Sequence, residues 1–367
     1  MIWITDLLFF LDGGKAERFR GVFAFRRCFQ YFEPSLEHIM WKRTLNMAGI
    51  FLLSCAAGCS QQQSDRQLNS SPTPSPAVER QTSAIPVFDG DRAFSYLLKQ
   101  TSFGPRNPNS RGHNACRAYL AEALRLAADE VRYQEFTADG YDGEILHLTN
   151  IIAAFRPELK TRILLCAHWD TRPRAERDEH PQLREQPILG ANDAASGVAV
   201  LLELAALMKS NPPAVGVDIV LFDGEDYGKE QDHQLYLIGS RYFARHKQPD
   251  YVPRFGILLD MVGDTFLELP REMHSVRFAP DVVSMVWSAA RELGVTQFVD
   301  ADGEEILDDH VPLNEAGIKT IDIIDFNYPD QSHRYWHTHQ DIPENCSSES
   351  LRAVGTVLTH VVYRQRL

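Results

Sequence analysis

The sequence predicts an α/β fold: a single domain with a central, mostly parallel mixed sheet and helices on both of its faces. Three observations carry this. Runs of five or six almost wholly apolar residues recur between 151 and 324, as expected of strands buried on both faces. Segments with apolar residues three and four apart stand between them, so strands and helices alternate. The chain of 367 residues, 44% hydrophobic with 20 Phe and 5 Trp, is long enough to enclose one large core.

The same composition excludes several classes. Ordinary hydrophobic and charged fractions rule out a disordered or collagen-like chain. A formal charge of −13, from 37 Lys and Arg against 50 Asp and Glu, argues against a nucleic-acid surface. No apolar run reaches the roughly 18–20 residues of a membrane span. Six cysteines are too few and too scattered for a disulfide framework.

The first residues are read apart from the fold. From Met40, a basic pair (Lys42, Arg43) precedes a mostly apolar, uncharged stretch over 47–58 that ends in Ala56-Ala57-Gly58-Cys59. This resembles a bacterial lipobox and implies a signal peptide over 40–58, cleaved before a lipidated Cys59. Residues 1–39 are then expected to be an upstream extension outside the working protein. Residues 59–85 are rich in Ser, Gln and Pro and poor in large apolar groups, the composition of a flexible tether. The expected location is outside the cytoplasmic membrane, with the protein held to a bacterial membrane by lipid; Ser60 suits the outer membrane where there is one. The folded domain is expected over 86–367.

Within it, Phe94, Leu97 and Leu98 predict a helix over 92–100, and Ala115, Tyr119, Ala123, Leu124 and Ala127 one over 114–128. Strands follow at 151–155 and 163–167. Val198, Leu201, Leu202, Ala205 and Met208 form the apolar stripe of the next helix. Strands at 217–222, 255–259 and 319–324 and helices at 282–293 and 347–363 complete the domain.

The polar residues cluster where these strands end. The run 163–167 leads into His168-Trp169-Asp170, 219–222 into Asp223-Gly224-Glu225-Asp226, and 256–259 into Asp260. Open α/β sheets bind ligands at the carboxyl ends of their strands. Asp193 stands just before the stripe helix, where its simplest role is an N-cap. Tyr335-Trp336-His337-Thr338-His339-Gln340-Asp341 adds two histidines. Carboxylates with imidazole, at three protein positions with a fourth left open, suit a catalytic zinc ion. There is no Gly-x-Ser-x-Gly elbow and no phosphate-binding Gly-x-x-x-x-Gly-Lys loop. Cys166, inside a strand, reads as a small core residue, and no pairing is assigned among Cys116, Cys166 and Cys346.

The ordered set His168-x-Asp170, Gly190-Ala191-Asn192-Asp193-x-x-Ser196-Gly197, Asp223-Gly224-Glu225-Asp226, Asp260 and Trp336-His337-Thr338 resembles the zinc aminopeptidase superfamily. Within it the chain is most similar to glutaminyl-peptide cyclotransferases of the bacterial branch, over about 92–364. Ser102-Phe103-Gly104-Pro105-Arg106, Tyr141-Asp142-Gly143, Gly239-Ser240-Arg241 and Asp308-Asp309-His310-Val311-Pro312 extend the match. Ala194 after Asp193 and Trp336 beside His337 favour cyclase over aminopeptidase. The pair Glu225-Asp226 departs from the Glu-Glu of the animal enzymes, no Trp follows it closely, and 327–335 is an insertion before Trp336.

The resemblance implies a zinc exopeptidase-like fold and one Zn²⁺ per chain, held by Asp193, Asp226 and His337. It implies Glu225 as the proton shuttle, with Asp260 and Asp309 hydrogen-bonded to it in an acidic network, and Trp336 as the wall of a pocket for the glutamine side chain. The substrate would be a peptide or protein with N-terminal glutamine, and the products pyroglutamate and ammonia. His168 and Asp170 would bind a second metal in a two-metal aminopeptidase; in a cyclase Asp170 buttresses His168. His339 is the competing ligand to His337, Asp309 has the alternative of a helix cap, and Trp336 that of plain core. A metallo-aminopeptidase with two ions, and a non-catalytic surface lipoprotein of the same fold, are the competing functions.

Overall fold

The computed structural model describes residues 85–229 and 234–367. The expected extension, the signal peptide, Cys59 and the tether up to residue 84 lie outside the described residues.

The described residues begin with two helices, α1 (Gly90–Thr101) and α2 (Arg111–Ala127), each started by a side chain that accepts from a backbone N–H of its first turn: Asp89 from Arg92 and Ser110 from His113. A long hairpin follows, β1 (Glu130–Asp139) and β2 (Ile145–Phe155), then β3 (Arg162–His168), α3 (Ala195–Ser210), β4 (Gly216–Phe222), α4 (Ile238–His246) and β5 (Gly256–Asp260). The last third holds a small parallel pair, β6 (Leu269–Arg271) and β7 (Phe298–Asp302), with α5 (Met273–Phe278) and α6 (Pro280–Leu293) between them. It ends with α7 (His310–Glu315), β8 (Thr320–Ile324) and α8 (Ser348–Arg364).

The main sheet has the order β1-β2-β4-β3-β5-β8. Strands β4, β3, β5 and β8 run parallel, while β1 and β2 are antiparallel at one edge, so the sheet is mixed and mostly parallel as expected. Alternation along each strand divides the core between two faces. Ile163, Leu165 and Ala167 of β3 join the large cluster with α1, α2, α3, α6 and α8. Leu164 and Cys166 join the smaller cluster on the opposite face, with Phe243 of α4 and Leu313 of α7. Cys116, Cys166 and Cys346 are buried free thiols, so Cys166 is the core residue its strand position suggests.

Besides α4, α5, α7, β6 and β7, short elements that the patterning did not predict, three elements differ from expectation. Strand β1 gave no apolar signal because it is an edge strand with no fully buried residue along it. Strand β2 starts at Ile145, before the continuous apolar run, because its first half pairs only with β1. Helix α3 is not a one-faced amphipath: α1, α2 and α8 pack around it, and it is buried on nearly every side.

That burial makes Gly197 a packing requirement. A Cβ added there would stand 2.3 Å from the Leu259 carbonyl oxygen of β5. Gly197→Ala is expected to destabilise the fold by about 1–3 kcal/mol through overpacking. A denaturant midpoint equal to that of the parent protein would show that the helix gives way without cost.

Candidate active site

Because β4, β3 and β5 are adjacent and parallel, their carboxyl ends share one edge of the sheet. His168 is the last residue of β3, Asp260 the last of β5, and the turn 223–226 follows β4. Asp193 precedes α3, and His337 comes from the long loop after β8. His337 and Met261 both have positive φ, at 58° and 49°, a conformation non-glycine residues hold only when packing imposes it.

Asp193, Asp226 and His337 are buried and bring one ligand atom each to within 4.8 Å of the others. His337 Nε2 lies 3.3 Å from Asp226 Oδ1 and 3.8 Å from Asp193 Oδ2. Asp226 Oδ2 is buried with no hydrogen-bond partner. Two carboxylates and one imidazole this close together, with one buried carboxylate oxygen left unsatisfied, fit a zinc ion. Asp193 does not cap α3: the N-cap position falls on Ala194, and no side chain caps that turn.

A second group, His168, Asp193 and Asp260, meets the same distance condition and shares Asp193 with the first. His168 Nε2 sits 3.1 Å from Asp193 Oδ1 and 3.2 Å from Asp260 Oδ1, so the imidazole already bridges these carboxylates. Burial acts to lower the pKa of His168, but the surrounding Asp170, Asp193 and Asp260 outweigh it and hold the value well above 6.5.

The acidic residues are arranged differently from the expected network. Among the described residues no hydrogen bond joins Glu225 to Asp260, and neither carboxyl oxygen of Asp309 has a hydrogen-bond partner. Strand order is the reason: β3 lies between β4 and β5, so His168 stands between the acids that follow those strands. Its Nδ1 is 3.8 Å from Glu225 Oε2 and its Nε2 3.2 Å from Asp260 Oδ1. Glu225, Asp260 and Asp309 are therefore coupled by charge and through an imidazole. Asp309 sits at the start of α7 without capping it by its side chain.

Burial, with Asp226, Asp308 and Asp309 nearby, pushes Glu225 well above an ordinary glutamate despite the opposing pull of His168. Burial likewise lifts Asp309 to about 7. Glu225 and Asp260 keep 13% and 12% of their side-chain surface exposed, against 3–5% for the three residues of the zinc-type group. The two acids thus face a molecule arriving from solvent, and the group behind them faces inward.

Supporting contacts account for residues whose roles the sequence did not reveal. Asp170 accepts from the backbone N–H of Glu225 at 3.0 Å and of Asp226 at 3.3 Å, while its distance to His168 Nδ1 is 3.6 Å. It therefore fixes the 225–226 turn more directly than it buttresses His168. Asp341 accepts from the N–H of Asn192 at 2.7 Å and of Asp193 at 3.2 Å, tying the Asp193 loop to the segment that carries His337. Buried Arg106 donates to the carbonyls of Trp169, Leu189 and Gly190, joining the His168 and Asp193 loops. Asp223 turns away to accept from His113 at 2.9 Å, whose ring stacks on Trp169. Buried Arg172 donates to Asp226. Glu272, Asp308, His310 and Asp322 form a further buried polar cluster, three of which (Asp308, His310 and Asp322) meet the same distance condition. Asp170, Asp223, Arg106, Asp308, His310 and Asp341 stood in the motifs read from sequence, but their partners did not; His113, Arg172, Glu272 and Asp322 carried no sequence signal.

Trp336 is partly exposed, its ring centroid 3.9 Å from that of His337, with Phe326 packed edge-on and the Arg177 guanidinium 4.2 Å from its centroid. It is not plain core. His339 points elsewhere, with Nδ1 3.0 Å from Asp178, which removes it as a ligand of the Asp193–Asp226 group.

Residues 150–362 match the model of peptidase family M28. Bovine (Bos taurus) glutaminyl-peptide cyclotransferase is 24% identical over 289 residues, 69% of this chain and 76% of that protein. Aminopeptidase YwaD of Bacillus subtilis (strain 168) is 31% identical over 182 residues, 47% of this chain and 37% of that one. Among solved structures, a Bacteroides thetaiotaomicron glutaminyl cyclase bound to N-acetylhistamine is 42% identical with a TM-score of 0.74, covering 77% of this chain and all of that one.

Proposed function

We infer that this chain, which belongs to peptidase family M28, is a glutaminyl-peptide cyclotransferase that converts the N-terminal glutamine of peptides or proteins to pyroglutamate with release of ammonia. The observation that carries this reading within the family is Glu225: a half-sheltered carboxyl of raised pKa beside the group Asp193, Asp226 and His337. The likeness to glutaminyl cyclases over the whole folded part supports it.

In this reading one zinc ion is held by Asp193, Asp226 and His337. When bound there, the ion supplies a Lewis acid for the γ-carboxamide oxygen of the substrate. Glu225 accepts a proton from the α-amine as that nitrogen bonds to the side-chain carboxamide carbon (Cδ), and returns it to the amide nitrogen departing from the same carbon, which leaves as ammonia. Atoms and protons then balance with no water consumed. Asp260 and Asp309, coupled to Glu225 by charge, disfavour a further negative charge and so keep Glu225 basic enough to take the proton. Trp336 walls the pocket against the methylenes of the glutamine side chain. His168 Nε2 lies within hydrogen-bond distance of both Asp193 and Asp260, so these carboxylates have a partner without a second ion, which supports a single-ion site. Lipid anchorage through Cys59 at a bacterial membrane belongs to the same proposal.

The group His168, Asp193 and Asp260 favours a second reading, a two-metal aminopeptidase that attacks with water. Mass spectrometry of a Gln-initiated peptide incubated with the zinc-loaded enzyme separates the two. Loss of one ammonia with the peptide chain intact is expected. Free glutamine and a peptide shortened by one residue would reject the cyclase. A chelator should stop the reaction and added zinc restore it.

A further inference from the structure

The side chain of Arg172 is fully buried, and it touches a residue of the metal-type group. Each of its five N–H bonds has an acceptor. Nη1 donates to Asp226 Oδ1 at 2.5 Å and to the Asp226 carbonyl at 3.3 Å. Nε donates to Glu176 Oε2 at 2.7 Å, and Nη2 to Glu176 Oε1 and to the Tyr236 hydroxyl, the latter at 2.7 Å. The Tyr236 ring lies 5.2 Å from the guanidinium carbon. The plane of the guanidinium is therefore fixed from three sides. Asp226 is left with one oxygen bound to Arg172 and the other, Oδ2, buried and unpartnered.

We propose that Arg172 is a positioning residue that fixes the rotation of the Asp226 carboxylate for metal binding, with Glu176 orienting and neutralising the guanidinium. A carboxylate free to rotate can offer an ion one oxygen or both. Arg172 holds Oδ1, the oxygen 3.3 Å from His337 Nε2, and leaves Oδ2 unpartnered. A bare guanidinium this close would repel a dication, and the Glu176 carboxylate on its far edge offsets that repulsion. A lysine could supply the charge but not the planar fork that engages Asp226 and Glu176 together.

The inference rests on the zinc site of the proposed function, and its test reads zinc without using a substrate. Zinc affinity of the full chain is measured by competition with a chelator, alongside the melting temperature of the zinc-free protein. Arg172→Lys and Arg172→Met are both expected to weaken zinc by ~10–100-fold, the usual effect of losing a group that orients a ligand. Glu176→Gln, which keeps the shape and removes the charge, should weaken it several-fold. Unchanged affinity in Arg172→Lys, or tighter binding in Arg172→Met, would mean that only charge matters and would overturn the proposal. So would a lower melting temperature with affinity unmoved, the mark of a purely structural role. Should the Arg172 variants not fold, unchanged zinc affinity in both Glu176→Gln and Tyr236→Phe overturns it equally. Failure of the cyclase reading appears instead as tight, Arg172-dependent zinc binding in a protein that cyclises no glutamine.

Discussion

Glu225→Gln is expected to lower turnover of a Gln-initiated peptide by about 10²–10⁴-fold, the range for loss of a general acid–base group, with zinc content and melting temperature unchanged. The amide matches the carboxyl in size, and among the described residues no hydrogen bond of the fold depends on the Glu225 side chain, so packing survives. What disappears is the site that takes the amine proton. The pH profile gives an independent reading. A carboxyl whose pKa is raised by burial is deprotonated, and able to act as a base, only above that raised value. Activity of the parent enzyme should therefore fall as pH drops, and the limb should lie above the ~4.3 of an unperturbed glutamate. Protonation of Asp309, lifted to about 7, also changes the charge around Glu225. A Glu225→Gln enzyme that keeps near-normal turnover would remove Glu225 from the mechanism.

His337→Ala and Asp226→Ala are expected to remove zinc and, with it, activity. The loss of affinity should exceed the ~10–100-fold typical of residues that merely orient a ligand. The contrast with Glu225→Gln separates holding the ion from moving the proton. His339→Ala is the matched control, because His339 is engaged with Asp178. Zinc measured by atomic absorption should fall in the first two variants and stay at the parent level in the third. Retention of zinc by His337→Ala, with loss in His339→Ala, would reverse the assignment.

The strand ends explain how much of this was legible in advance. A continuous apolar run stopping at an acid or a histidine is a local pattern, and His168, Glu225, Asp226 and Asp260 all carry it. Asp193 is different. Its sequence position suits an N-cap, but backbone N–H bonds to Asp341 and a helix that starts one residue later turn its carboxylate inward. Strand β1 shows the opposite limit, since an edge strand without fully buried residues leaves little apolar trace.

By itself the sequence determined the α/β class, the parallel core of the sheet and the identity of most groups at its carboxyl edge. These follow from periodicity and from the chemistry of single residues. Only the tertiary structure decided which of those groups touch. Strand order puts His168 between the acids, and Arg172, Arg106 and Asp341 reach across 54, 63 to 84 and 148 to 149 residues to hold the site in place. The physical reason is that hydrophobic patterning records whether a side chain is buried, whereas strand order and loop closure select its partners.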